Sequence, residues 1–216
     1  VTTSLRKFAL IVGASFAVFA LGCAARIHAL PGIAPENAAL PSFALAEGAQ
    51  KITFKWELDD NSIVARGDGV ARLESPDHAR VDLFLGGGFG GAAAAVLVGD
   101  SLIVPPNSSG GDLIPPAPLL WAALGRLALP AVPDTIIRVV GDTLRASLGA
   151  PVQWRITSVA GQLTRVERVS RNRIVEWVDR VPGKQTRYEL SGRRSLVLDI
   201  ETQQPVPPFD PSIWRF

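Results

Sequence analysis

Residues 52–58 read ITFKWEL, and this stretch decides the fold. Ile52, Phe54, Trp56 and Leu58 alternate with Thr53, Lys55 and Glu57, the period-two pattern of a strand with one face on a core and one in water. Outward toward the C-terminus, residues 63–73 continue the pattern through Gly67 and Gly69, which predicts a bent strand. After Ser75-Pro76-Asp77, residues 80–85 predict a third strand, with Ala79, Val81, Leu83 and Leu85 on one face. Residues 86–91 predict a turn around Phe89, and residues 92–98 and 101–104 predict two strands hinged at Gly99-Asp100.

The pattern changes between Pro115 and Gly141. Leu119, Leu120, Ala123, Leu124 and Leu127 recur at helical spacing, and Asp134 stands as a helix N-terminal residue before Ile136, Ile137, Val139 and Val140. Two or three short helices are expected here and nowhere else. Strands then return over residues 143–148, 152–159, 162–169, 174–180, 186–190 and 196–200. Ala160-Gly161, Arg171-Asn172, Pro182-Gly183 and Ser191-Gly192 are hairpin turns in composition. The expected fold class is mainly β (α+β): about ten antiparallel strands, too many for a flat layer, forming a strongly curved half-barrel covered by the short helices.

Outward toward the N-terminus the reading is different. Arg6 and Lys7 precede an uncharged apolar run over residues 8–25, the order of a secretion signal. Ala20-Leu21-Gly22-Cys23 resembles a lipobox, in which the signal is cut before a cysteine carrying diacylglycerol; acyl chains on Cys23, palmitate among them, would then hold the chain on a bilayer. Ala24 in the following position suggests sorting to the outer membrane. Residues 24–48 are rich in Ala and Pro and predict a tether. The expected organisation is a signal peptide over residues 1–22, a lipid-anchored tether over 23–48, and one lipid-binding domain over 49–216.

Composition excludes several functions. Of 22 basic residues Arg6 and Lys7 fall in the signal, leaving 20 against 20 acidic residues, so no basic excess exists to displace phosphate counterions and no nucleic-acid partner is expected. The arginines of residues 165–194 are interleaved with Glu167, Glu176, Asp179 and Glu189, which predicts a solvated strand face. With His78 as the single histidine of the domain and Cys23 as the single cysteine, no metal site and no cofactor are expected. Asp77 beside His78 lacks a nucleophile elbow, and Gly86 to Gly91 matches a nucleotide-binding glycine pattern without the helix that must follow it, so no enzyme is expected.

What the sequence has in surplus is apolar surface, 47% of the chain. A curved sheet under helices would leave a hollow lined by Phe54, Trp56, Val81, Leu83, Leu120, Trp121 and Leu124, suited to an acyl chain.

Residues 80–85, the turn Gly88-Phe89-Gly90 and residues 92–98, followed by the helical segments 119–130 and 133–141, resemble in order the LolA/LolB superfamily of periplasmic lipoprotein carriers and outer-membrane lipoprotein receptors. The resemblance implies a half-barrel closed by helices, with Phe89 as the protruding residue that touches the bilayer or a donor. It implies acyl chains of lipids or lipoproteins as partners, the periplasmic face of the outer membrane as location, a monomer, and a role in lipoprotein localisation and transport. The alternative is an accessory lipoprotein of an envelope complex that holds no ligand.

Overall fold

The structure is a computed structural model and describes residues 25–36, 39–61, 63–86, 91–106 and 113–216. The signal segment, Cys23 and Phe89 lie outside the described residues.

Among the described residues two antiparallel meanders form one twelve-stranded sheet. The first runs β1 (Ala49–Asp60), β2 (Ile63–Glu74), β3 (His78–Leu85), β4 (Gly91–Val98) and β5 (Ser101–Ile103). A crossover carrying α1 (Ala117–Leu124) leads to the opposite edge. The second meander returns through β6 (Thr135–Val140), β7 (Thr143–Leu148), β8 (Trp154–Val159), β9 (Gln162–Ser170), β10 (Arg173–Val181), β11 (Gln185–Leu190) and β12 (Arg194–Val206). β12 pairs with β1 from Ala49↔Val206 to Asp60↔Arg194 and joins the two meanders at the centre of the sheet.

The alternation of residues 52–58 is obeyed: Ile52, Phe54, Trp56 and Leu58 are buried on the face that carries the core. Gly67 and Gly69 do not break β2, which pairs with β1 along its whole length. They make room. A Cβ at Gly69 would stand 2.1 Å from the Phe54 ring, and one at Gly67 would stand 1.8 Å from the Phe84 carbonyl oxygen. The missing side chains admit the aromatic rings that the neighbouring strand turns toward the core.

The helix α1 is apolar on every side and accordingly buried, with Leu119 and Trp121 fully covered. Pro116 and Pro118 start it, since proline tolerates only the first helical turn. Gly125 ends it at φ 98°, its N–H donating to Ala122 O while the Arg126 N–H donates to Trp121 O.

Two expectations are corrected. The strongly curved half-barrel of about ten strands with two or three helices is not what forms. Among the described residues the sheet has twelve strands, is neither closed nor strongly curled, and has β5 and β6 at its edges, β6 being bridged at Val139 by Ile33; one α-helix covers it. The expected second helix after Asp134 is strand β6, paired from Thr135↔Leu148 to Val140↔Thr143. Thr135, Ile136, Ile137, Val139 and Val140 are β-branched, lose side-chain freedom in a helix, and pack well on a pleated surface. A run this short carries no period that separates strand from helix, and the pairing with β7 decided.

The N-terminal segment lies against the domain in its described parts. Ile27 N–H donates to Asn172 O, Ile33 bridges Val139 in β6, and the Leu127 N–H donates to the carbonyl of the buried Phe43. At the other terminus, Pro211–Trp214 forms a single 3-10 turn held by Arg80 Nη1 donating to Ile213 O, with Trp214 against His78.

Candidate functional site

The core face of the sheet and α1 enclose two hollows of different kind. The inner one is lined by Val81, Leu83, Leu120, Ala123, Tyr188 and Leu196, among others, and is almost entirely apolar. Its volume is about 20 Å³. That admits one water and no acyl chain.

The outer one is an open cleft of about 400 Å³, where residues 42–46 pass the C-terminal end of α1 and the ends of β1, β9 and β10. Phe43, Leu45, Leu73, Leu124 and Leu163 supply apolar walls, and Arg180 supplies a charge. The size is within the range of small-ligand sites, roughly 300–1,000 Å³.

The residues expected around one hollow are distributed. Val81, Leu83 and Leu120 line the inner hollow, and Leu124 lines the cleft. Phe54 packs its ring over Gly69. The Trp56 indole N–H is shared between the carbonyls of Asp68 (3.0 Å) and Phe84 (3.1 Å). The Trp121 indole donates to Gly99 O at 2.8 Å, with Arg126 stacked 4.5 Å above its ring. These three aromatics hold the core together.

Sequence reading missed Arg180. It was one more arginine of an alternating strand, yet Nε donates to Ala123 O at 3.2 Å and Nη1 to Leu163 O at 3.1 Å. Thr186 also donates to Ala123 O at 3.2 Å, so the last turn of α1 is tied to β10 and β11. Burial lowers the pKa of Arg180, because the charged form is poorly solvated there. Two carbonyls occupy two of its five donors, and no carboxylate forms an ion pair with it among the described residues.

Several other charged residues of this half are paired. Arg165 bridges Glu167 and Asp179, each at 2.6 Å, and Arg187 pairs with Glu189. Glu176 departs from the expected solvated face: it is buried, paired with Arg168, and accepts from the Tyr188 hydroxyl at 2.8 Å. Asp77 and His78 form a contact of 3.0 Å at a turn. Among the described residues no group of three or more His, Cys, Asp or Glu side chains is placed to hold a metal.

No protein-family model matches the chain, and no curated protein matches it. Solved structures do share the architecture. A DUF1329 family protein from Desulfovibrio piger superposes with a TM-score of 0.51 at 10% identity, over 78% of this chain and 90% of that one. A LolA superfamily protein from Nitrosomonas europaea superposes with a TM-score of 0.49 at 12% identity, over 81% of this chain and 93% of that one. The likeness to the LolA superfamily is thus distant and partial. At such identities what is shared is the fold.

Proposed function

We propose that this is a non-enzymatic protein of the cell envelope, anchored through an acylated Cys23 at the periplasmic face of the outer membrane, that takes a single acyl chain of a lipid or lipoprotein into the cleft beside α1. The observation that carries the reading is the pairing of apolar walls from Phe43, Leu45, Leu73, Leu124 and Leu163 with the ion-unpaired Arg180, in about 400 Å³ of open space. A cleft of mixed lining, with these apolar walls beside Ser42, Gln50, Gln162 and Gln203 and one fixed cation, suits a single-chain amphiphile with an acidic head. Phe89, between β3 and β4, is the residue assigned to contact with the bilayer or a lipoprotein donor.

Extraction of the purified protein followed by lipid mass spectrometry tests this. A single-chain acidic lipid, retained by the native protein and lost when Leu124→Trp fills the cleft, is the expected result. Native protein that carries no acyl compound, and takes up none when offered free fatty acid or lysophospholipid, overturns it. The near-absence of space beneath α1 favours a second reading, an accessory lipoprotein that presents its surface to an envelope complex and holds no ligand. Co-purification with such a complex, without lipid, would select it. A Phe89→Glu variant that binds lipid but no longer exchanges it with vesicles would support the contact role of Phe89.

A further inference from the structure

The pairing registers sort every hairpin turn to one of two ends of the sheet. At one end lie the connections after β1, β3, β7, β9 and β11, and at the other those after β2, β4, β6, β8 and β10. The two ends differ in charge. The described turn residues of the first end include Arg171 and Arg193 and no acid, with Arg66 and Arg173 adjoining; those of the second include Asp77, Asp100 and Asp142 against Lys184, with Glu47 and Glu74 adjoining. Arg171, Arg173 and Arg193 are exposed and enter no ion pair among the described residues, while Arg66 pairs with Glu57. The carboxylates at the first end are Asp60, paired with Arg194, Glu57, paired with Arg66, Glu189, paired with Arg187, and Asp59 and Asp134.

The first end is also apolar where β2 and β3 end. Gly67↔Leu85 is the last pair of these strands, so β2 overhangs β3; Ile63 and Val64 stand 61% exposed on the overhang, and Phe84 and Leu85 stand 41% and 40% exposed at the end of β3. Ile63 and Leu85 lie on the core face and Val64 and Phe84 on the opposite one, so this end of the sheet exposes large apolar side chains on both faces, with arginines on neighbouring turns. The chain itself enters at this end: Ala25 O accepts from the Ile174 N–H, and Arg26 bridges Arg173. Cys23 stands two residues before Ala25, within about 7 Å of backbone reach.

We infer that this end of the sheet, with Ile63, Val64, Phe84 and Leu85 as apolar contacts and Arg171, Arg173 and Arg193 as headgroup contacts, docks on an anionic phospholipid surface. The inference rests on the envelope reading above for its choice of partner. Apolar side chains enter the interfacial layer and arginines draw in lipid phosphates, an arrangement that the acidic opposite end would resist. It orients the cleft beside α1, whose walls include Gly161 and Pro182 from turns of the second end, away from the membrane.

The full chain, purified from bacterial membranes and reconstituted into vesicles of phosphatidylethanolamine and phosphatidylglycerol, provides the test. A fluorophore on Val64→Cys should be quenched by nitroxide-bearing lipid, and one on Asp142→Cys should stay in water. Charge reversal of Arg171, Arg173 and Arg193 to Glu should lower the ratio of docked to undocked protein by about a hundredfold, and replacing phosphatidylglycerol with phosphatidylcholine should weaken docking in the same sense. Equal quenching at both positions, or a label on Val64→Cys left in water, overturns the inference. Mass spectrometry of the Cys23 peptide separates the two readings. Acyl mass present with residue 64 in water removes the docking and keeps the anchor; no acyl mass with residue 64 quenched removes the anchor and keeps the docking.

Discussion

The Tyr188 hydroxyl donates a 2.8 Å hydrogen bond to Glu176, and both side chains are buried on the core face of the sheet. Burial is the first cause, and the bond to Glu176 the second, of a phenol pKa raised well above its ordinary value of 10.0. A raised pKa in the folded state adds stability that is fully present below pH 10 and is lost as the pH rises beyond it.

Tyr188 is the only tyrosine of the chain, so phenolate absorbance reports it alone. Absorbance should stay flat through pH 10 and rise together with loss of the folded circular-dichroism signal. A separate titration centred near 10 in folded protein would contradict the buried hydrogen bond. Tyr188→Phe should destabilise by about 1–3 kcal/mol at neutral pH, because Glu176 loses a donor.

Gly69→Ala should lower the melting temperature, because the new methyl would meet the Phe54 ring. Overpacking of this kind costs about 1–3 kcal/mol. The double variant Gly69→Ala with Phe54→Leu should recover part of that loss in thermal denaturation, since the smaller side chain vacates the contact.

Arg180→Met removes donors to Ala123 O and Leu163 O and should cost about 1–2 kcal/mol by untying the last turn of α1. Arg180→Lys should recover little, because a single ammonium does not reproduce a planar fork reaching two carbonyls on different elements. Denaturant unfolding of the three proteins checks this without reference to any ligand.

Asp82 is buried between Arg72 at 2.6 Å and Arg80 at 3.0 Å, and Arg80 in turn holds Ile213 O. Asp82→Ala should destabilise by roughly 2–4 kcal/mol, leaving two arginines without their carboxylate. It should also raise hydrogen exchange at residues 212–214, which Arg80 ties to β3.

The sequence by itself determined the strands wherever alternation persisted: residues 52–58 show which side chains face the core because a strand turns successive side chains to opposite faces. It likewise marked α1 through the helical spacing of Leu119, Leu120, Ala123 and Leu124, although the spacing ran on to Leu127 and the helix ends at Leu124. Tertiary structure decided the rest. β6 became a strand because β7 offered it hydrogen bonds, and no local signal encodes a partner. The register shift between Ile174 and Glu176 set Arg168 opposite Glu176 and made a buried pair of what reads as a solvated face. Arg180 acquired its carbonyl partners from residues 57 and 17 positions away. Apolar residues in a sequence announce that a core will form, but whether it closes to about 20 Å³ or leaves a cleft of about 400 Å³ depends on how side chains from distant strands interlock.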